Sequence, residues 1–445
     1  MKIEGFYKRL ASIAFPIMLQ NLLQTFINML DTIMVGRLGS TEIAAVGLGN
    51  QVFFVLNMML FGICSGGSVF IAQFWGKKDV NGIKRSLGIM LLLSVIVSFI
   101  FTVGAIAIPS TLISWYSPDP AVIHLGAQYL RIVGFSYIMT AISFAFTLAF
   151  RSTEHVKLPM LTAGVSLLTN AVFNYLFIFV FGWGVQGAAA ATVLSRAVEM
   201  VITLGWSYFH HYETCGSLKT YFSFDRGFVA KFFKVAFPVI INESFWGLGI
   251  TTQNSIFAHA GTDAITAFNI TGTISQLTWV FFIGLGNGMG VIIGKFIGAG
   301  ETQKARAYAN RSVWFMPVMG VAIGVLLWPL SKTLPFFFKV DASIITTASR
   351  MMLVLMCLYP ICAFNMNWVV GVCRSGGDTV FAACCEIACL WLVSIPLGAV
   401  AAFVWKVNPV LIYICLESEQ VVKVALGICR VLSGKWLHDV TKNFE

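Results

Sequence analysis

The stretch AFPIMLQNLLQTFINMLDTIMVG, Ala14–Gly36, decides the fold. It has one charged residue, Asp31, and no Lys or Arg. A helix rises about 1.5 Å per residue, so this segment is long enough to cross a hydrocarbon layer of about 30 Å. Its beginning also recurs. AFPIMLQN from Ala14 matches AFPVIINE from Ala236, an offset of 222 residues. The same offset pairs Gly39 with Gly261, Ala45 with Ala267, Gly62 with Gly284, Gly66 with Gly288, Val69 with Val291, Phe74 with Phe296 and Gly76 with Gly298. Later, FRS at Phe150–Ser152 matches CRS at Cys373–Ser375 with an offset of 223. A register held across two helices and their loops marks an internal duplication.

The composition fits no water-soluble surface. Of 445 residues, 58% are hydrophobic and only 11% charged, and the mean hydropathy is +0.84; soluble domains carry about 25% charged residues. In lipid the backbone must satisfy itself, which leaves helices or closed barrels. Continuous apolar runs favour helices over the alternating pattern of barrel strands. The runs predict spans near 11–35, 44–74, 88–110, 130–152, 159–181 and 185–209, then 231–257, 266–295, 313–330, 348–373, 379–403 and 408–430. The expected fold is all-α: twelve transmembrane helices in two pseudo-symmetric six-helix lobes around a central cavity. The lobes are expected at 1–209 and 230–445, joined by a cytoplasmic linker at 210–229. Six helices per half make the repeat parallel, related by an axis along the membrane normal.

Loop charges predict the orientation. Assigned to alternate sides, 21 Lys and Arg, from Lys2 and Lys8 through Arg151 and Arg374 to Lys442, fall on one side. Six fall on the other: Arg37, Arg131, Lys332, Lys339, Arg350 and Lys406. Both termini should therefore be cytoplasmic in a multi-pass cell (inner or plasma) membrane protein. The net charge of +10 reads as topology rather than nucleic-acid binding, since no basic run with exposed aromatics accompanies it. Ten cysteines, eight of them between Cys357 and Cys429, contain no CxxC pair, which argues against zinc or redox chemistry.

A duplicated bundle suits alternating access, in which two halves rock about a central cavity. Coupling to an ion gradient requires an ionisable group at membrane depth, and such groups are too costly to be casual. Asp31 has no Lys or Arg within a helical turn; it either titrates or gathers oxygen ligands around a cation, or else the helix ends early and it meets headgroup water. Asn170 and Asn174 lie one turn apart on one face of the fifth predicted span, where their carbonyl oxygens can join a cation site. Thr192 sits among the small residues of GAAAATVLS in the sixth, as a site residue or as inter-helix glue. In the seventh, Glu243 takes the repeat position of Asn21, and Gln253 that of Asp31. These two form a possible second substrate or ion site, with Glu243 alternatively a buried, hydrogen-bonded acid. Arg196 with Glu199, and Glu419 with Lys423, read as local structural pairs, whereas Glu386 has no local partner. GLGNGMG at Gly284–Gly290 has no preceding strand and reads as helix packing. No Walker, HExxH or GxSxG motif is present, so neither ATP as direct energy source nor an enzyme is expected.

The chain resembles the multidrug and toxic compound extrusion (MATE) family over nearly its whole length. The resemblance rests on AFPIMLQNLLQTFINMLDTIMVGRLG, GICSGGSVFIAQFWGKKD, FRSTEHVKLPM, NAVFNYLFIF and GLGNGMGVIIGKFIGAGETQKARAY. It implies export of cationic amphipathic compounds in exchange for H⁺ or Na⁺, with no other cofactor. It also implies a key acid matching Asp31, fifteen residues after a helix-bending proline matching Pro16, with partners matching Asn170 and Thr192. The second position of the fifth span, Asp in some members, is Asn174 here. The seventh-span acid of one branch matches Glu243, but the tenth span has no acid. The partners expected are small organic cations and the bilayer, not nucleic acid, and the protein is expected to act as a monomer. Any metal would be Na⁺ at Asp31. The rival reading is a flippase for a lipid-linked saccharide on a related fold, for which the cavity offers only Arg196 as a basic residue.

Overall fold

The structure is a computed structural model that describes residues 5–333 and 340–442, apart from the side chains of residues 274 and 330–332. Lys2 and Lys339, and the side chain of Lys332, lie outside the described residues. The chain is helical, with no strand among those residues. In order, the helices are α1 (Phe6–Gly36), α2 (Ser40–Lys77), α3 (Val80–Ala107), α4 (Pro109–Ser114), α5 (Pro120–Val133), α6 (Ser136–Ser152), α7 (Lys157–Asn174), α8 (Gly184–Phe209) and α9 (Leu218–Tyr221). The second half supplies α10 (Arg226–Ala260), α11 (Thr262–Gly298), α12 (Thr302–Thr333), α13 (Ala342–Met366), α14 (Thr379–Ala388), α15 (Ile395–Ala399) and α16 (Pro409–Ser433).

Among the described residues nine spans are long and apolar enough to cross a membrane, and the pair α5 and α6, bent by 51°, makes a tenth. In three of the spans π-helical turns carry the helix on: Tyr175–Val180 after α7, Asn367–Arg374 after α13, and Cys389–Ser394 and Val400–Val404 on either side of α15. The remaining two long helices, α10 and α16, carry charges that mask their apolar character. Glu243 lies in α10, and Glu417, Glu419 and Lys423 in α16. Together these give the twelve spans. The predicted ranges run short at most ends because the helices continue past their apolar stretches into charged final turns. Large exposed side chains such as Phe99, Leu168, Trp314, Leu326 and Leu392 are apolar, which suits lipid rather than water.

The chain groups into two compact units. Among the described residues, one gathers those up to Met18 with those from Ile241 onward; the other is Leu19–Ile240. This differs from lobe bounds at 209 and 230, because each division falls two residues after a proline inside a long helix, Pro16 in α1 and Pro238 in α10. The first turns of each long helix therefore pack with the unit that holds the opposite repeat.

Within each unit the repeat register explains the packing. In one, a β-carbon added to Gly62 or Gly66 of α2 would meet the Cα of Ile240 at 2.8 Å or of Ala236 at 2.6 Å. In the other, a β-carbon added to Gly288 of α11 would meet the Cα of Ala14 at 3.1 Å, and one on Gly284 would meet Met18. The partners Ile240 and Met18, like Ala236 and Ala14, are themselves 222 residues apart. Phe228 of α10 stacks 6.2 Å from Phe74, and Phe6, its repeat mate, lies 5.0 Å from Tyr308. Small residues allow this backbone approach where no water-driven force pulls helices together.

Candidate functional site

Asp31 lies near the end of α1, half-buried. The helix does not end before Asp31; α1 continues to Gly36. Facing it are Asn170 and Asn174 of α7, both fully buried. The Asn174 amide donates both to the Asp31 carboxylate and to Asn170 Oδ1, the latter at 3.0 Å. Both amide protons of Asn174 are thereby used. Asn174 Oδ1 and Asn170 Nδ2 are buried without a partner among the described residues. An unsatisfied buried polar atom costs about 1–3 kcal/mol, so the pair offers an acceptor and a donor to a ligand beside the carboxylate. The α-helix gives way to its π-helical turn immediately after Asn174, and such turns often occur where a helix presents side chains to a site.

The surroundings are polar on one face of α1. Arg196 of α8 donates to Glu199 Oε2 at 2.7 Å and to Gln24 Oε1 at 3.2 Å, and Ser166 reaches Glu199 at 3.3 Å. The expected local pairing of Arg196 with Glu199 is present, and Gln24 and Ser166 extend it. Tyr129 of α5 donates to Asn50 Oδ1 at 3.2 Å and stands beside Thr192 and close to Asp31. Thr192 itself donates to the Ala188 carbonyl of its own helix at 3.0 Å. Gln24 and Tyr129 were not singled out from the sequence. Gln20, Gln24 and Asp31 lie at i, i+4 and i+11, a polar stripe at helical spacing that would have revealed Gln24.

In the other unit, Glu243 and Gln253 are not brought together. Ten residues of helix separate them by about 15 Å, and each has its own partner. Glu243 Oε1 lies 2.6 Å from Arg374 Nη2, and Arg374 also reaches Glu386 Oε2 at 3.5 Å. Asn242 donates to the same Glu386 oxygen at 2.6 Å. Glu386, without a local partner in the sequence, is thus held by residues 12 and 144 positions away. Gln253 donates to Ser394 Oγ at 3.0 Å. Arg151 and Arg374, counted among the loop charges, are both buried; each ends a span and folds its side chain back into its own unit. Glu419 and Lys423 pair at 3.2 Å as their spacing predicts. Among the described residues no cluster of three His, Cys, Asp or Glu is placed to hold a metal.

Twelve helical spans in duplicate, with a carboxylate set among buried amides, define a multi-pass transporter. The MatE family model matches residues 16–176 and 238–400. The chain belongs to this family, the multidrug and toxic compound extrusion transporters. It is 23% identical over 400 residues to a probable multidrug resistance protein, YoeA, of Bacillus subtilis, covering 88% of this chain and 86% of the relative. It is 24% identical over 442 residues to a probable multidrug resistance protein, NorM, of Thermotoga maritima, covering 96% and 93%. Among solved structures, MATE in complex with MaL6 superimposes with a TM-score of 0.87 at 19% identity, covering 96% of this chain and 97% of the other. A MOP superfamily transporter from Pyrococcus furiosus does so at 0.86 and 19%, covering 98% and 99%.

Proposed function

We propose that this protein is a secondary active antiporter that exports cationic amphipathic compounds in exchange for H⁺ or Na⁺, with Asp31 as the coupling residue. The observation that carries this reading is the Asp31–Asn174–Asn170 chain with its two unpartnered amide atoms. The carboxylate can take a proton, or with amide oxygens supply ligands to a small cation. Tyr129 and Thr192 complete the polar surroundings. In this reading the ion loads at Asp31, the part of α1 beyond Pro16 shifts, and substrate leaves; the ion then unloads as fresh substrate binds. Coupling arises because ion and substrate favour different conformations.

In this reading both termini lie on the cytoplasmic face of the cell membrane, which the loop-charge asymmetry supports, and the substrates are small organic cations. The family assignment and the ion pair of Arg196 with Glu199 at 2.7 Å both favour drug export over lipid-linked saccharide flipping, since a pyrophosphate would need an uncommitted cation. The test is export of ethidium from inverted vesicles under an imposed H⁺ or Na⁺ gradient. Gradient-driven export by the wild type and its loss in a folded, inserted Asp31→Asn variant support the reading. Equal export by both moves the coupling elsewhere.

A further inference from the structure

Each repeat ends its fourth span in an arginine that turns back onto its own unit. Arg151 donates to Gln20 Oε1 from Nε at 3.0 Å and from Nη2 at 2.7 Å, and to Asn21 Oδ1 from Nη2 at 2.9 Å. Arg374, its repeat mate, binds Glu243 and Glu386. In register, Gln20 corresponds to Asn242 and Asn21 to Glu243. The two arginines therefore grip the same place, a few residues beyond Pro16 and Pro238, on two equivalent helices.

They do not grip it equally. Arg374 is locked by carboxylates. Arg151 is buried, yet among the described residues its only partners are neutral amides. A buried guanidinium without a counter-ion is costly, and the repeat shows that one change at position 21 would have supplied one. The neutral grip falls on the helix that carries Asp31, and the ionic grip on the helix that has Gln253 in that position. Hydrogen bonds to neutral acceptors are released far more readily than a buried ion pair is broken.

We propose that Arg151 is a positioning residue: a releasable clamp on α1 that sets the placement of Asp31 and lets go during each cycle, whereas Arg374 is a permanent one. The inference rests on the ion-coupling reading of Asp31. Asn21 and Asp31 are about 15 Å apart along the helix, so the clamp acts through α1 and not by contact with the ion.

The test is hydrogen–deuterium exchange of peptides covering residues 17–36, on full-length protein in lipid nanodiscs. It is run at acidic and mildly alkaline pH, corrected for intrinsic rates, and with and without Na⁺. Wild type should change its protection with the coupling ion. Asn21→Glu, which offers Arg151 a carboxylate, should slow exchange roughly tenfold or more and flatten that ion response. Asn21→Gln, of the same size without the charge, should keep the response. Should Asn21→Glu fail to insert, Gln20→Leu removes two of the three bonds and should leave exchange fast under every condition. An ion response in Asn21→Glu or Gln20→Leu equal to wild type overturns the clamp. A wild type that responds to neither ion overturns the reading of Asp31 on which the clamp depends.

Discussion

Gly66 of α2 meets Ala236 of α10 so closely that a β-carbon on the glycine would stand 2.6 Å from the Ala236 Cα. The repeat-related contact of Gly288 with Ala14, at 3.1 Å, puts the first turns of the two proline-containing helices in equivalent settings. Gly66→Val should therefore cost about 1–3 kcal/mol through overpacking of backbone that cannot move aside. Gly47, on the same helix, has nothing within 4 Å of an added β-carbon, and Gly47→Val should be close to neutral. Thermal unfolding of the two variants in detergent distinguishes them.

Asn174 donates hydrogen bonds to both Asp31 and Asn170. Asn174→Leu removes a donor to a carboxylate, an interaction of about 1.5–3 kcal/mol. We expect the ion concentration that half-saturates transport to shift roughly tenfold to a hundredfold, with expression unchanged. Thr192→Val should have a smaller effect, since Thr192 spends its proton on its own helix.

Glu243 is buried and ion-paired with Arg374 at 2.6 Å. Glu243→Gln removes the 2.6 Å ion pair of the buried Arg374 and keeps its 3.5 Å contact to Glu386. Removing one partner of a buried pair costs about 3–5 kcal/mol, so the variant should unfold at lower temperature. Combining it with Glu386→Gln should be non-additive, because both acids serve one guanidinium. Transport by the surviving folded fraction of Glu243→Gln should retain its ion dependence. A folded variant that has lost ion dependence would instead make Glu243 part of the coupling.

The sequence was most legible where lipid imposes length and composition. All twelve spans are read from apolar runs, and the 222-residue register pairs the glycines that the packing uses. The charges were less legible. Arg151 and Arg374 stand at span ends where loop cations are expected, yet both turn inward. Glu386 finds its partners 12 and 144 residues away, a distance no local spacing can reveal. At the Asp31 site the helix-face rule puts Asn170 and Asn174 on one face, where they are hydrogen-bonded, while Tyr129 comes from a span whose own pattern gives no sign of it. The unit boundaries were hidden because a proline inside a long helix does not show that packing partners change there.

The most direct test of the central claim reverses the fluxes. In proteoliposomes with no imposed ion gradient, an ethidium gradient should drive H⁺ or Na⁺ in the opposite direction through the wild type. Asp31→Asn, inserted in equal amount, should move no counter-ion. Ethidium movement without any counter-ion, or an equal counter-flow in the variant, would contradict coupling at Asp31.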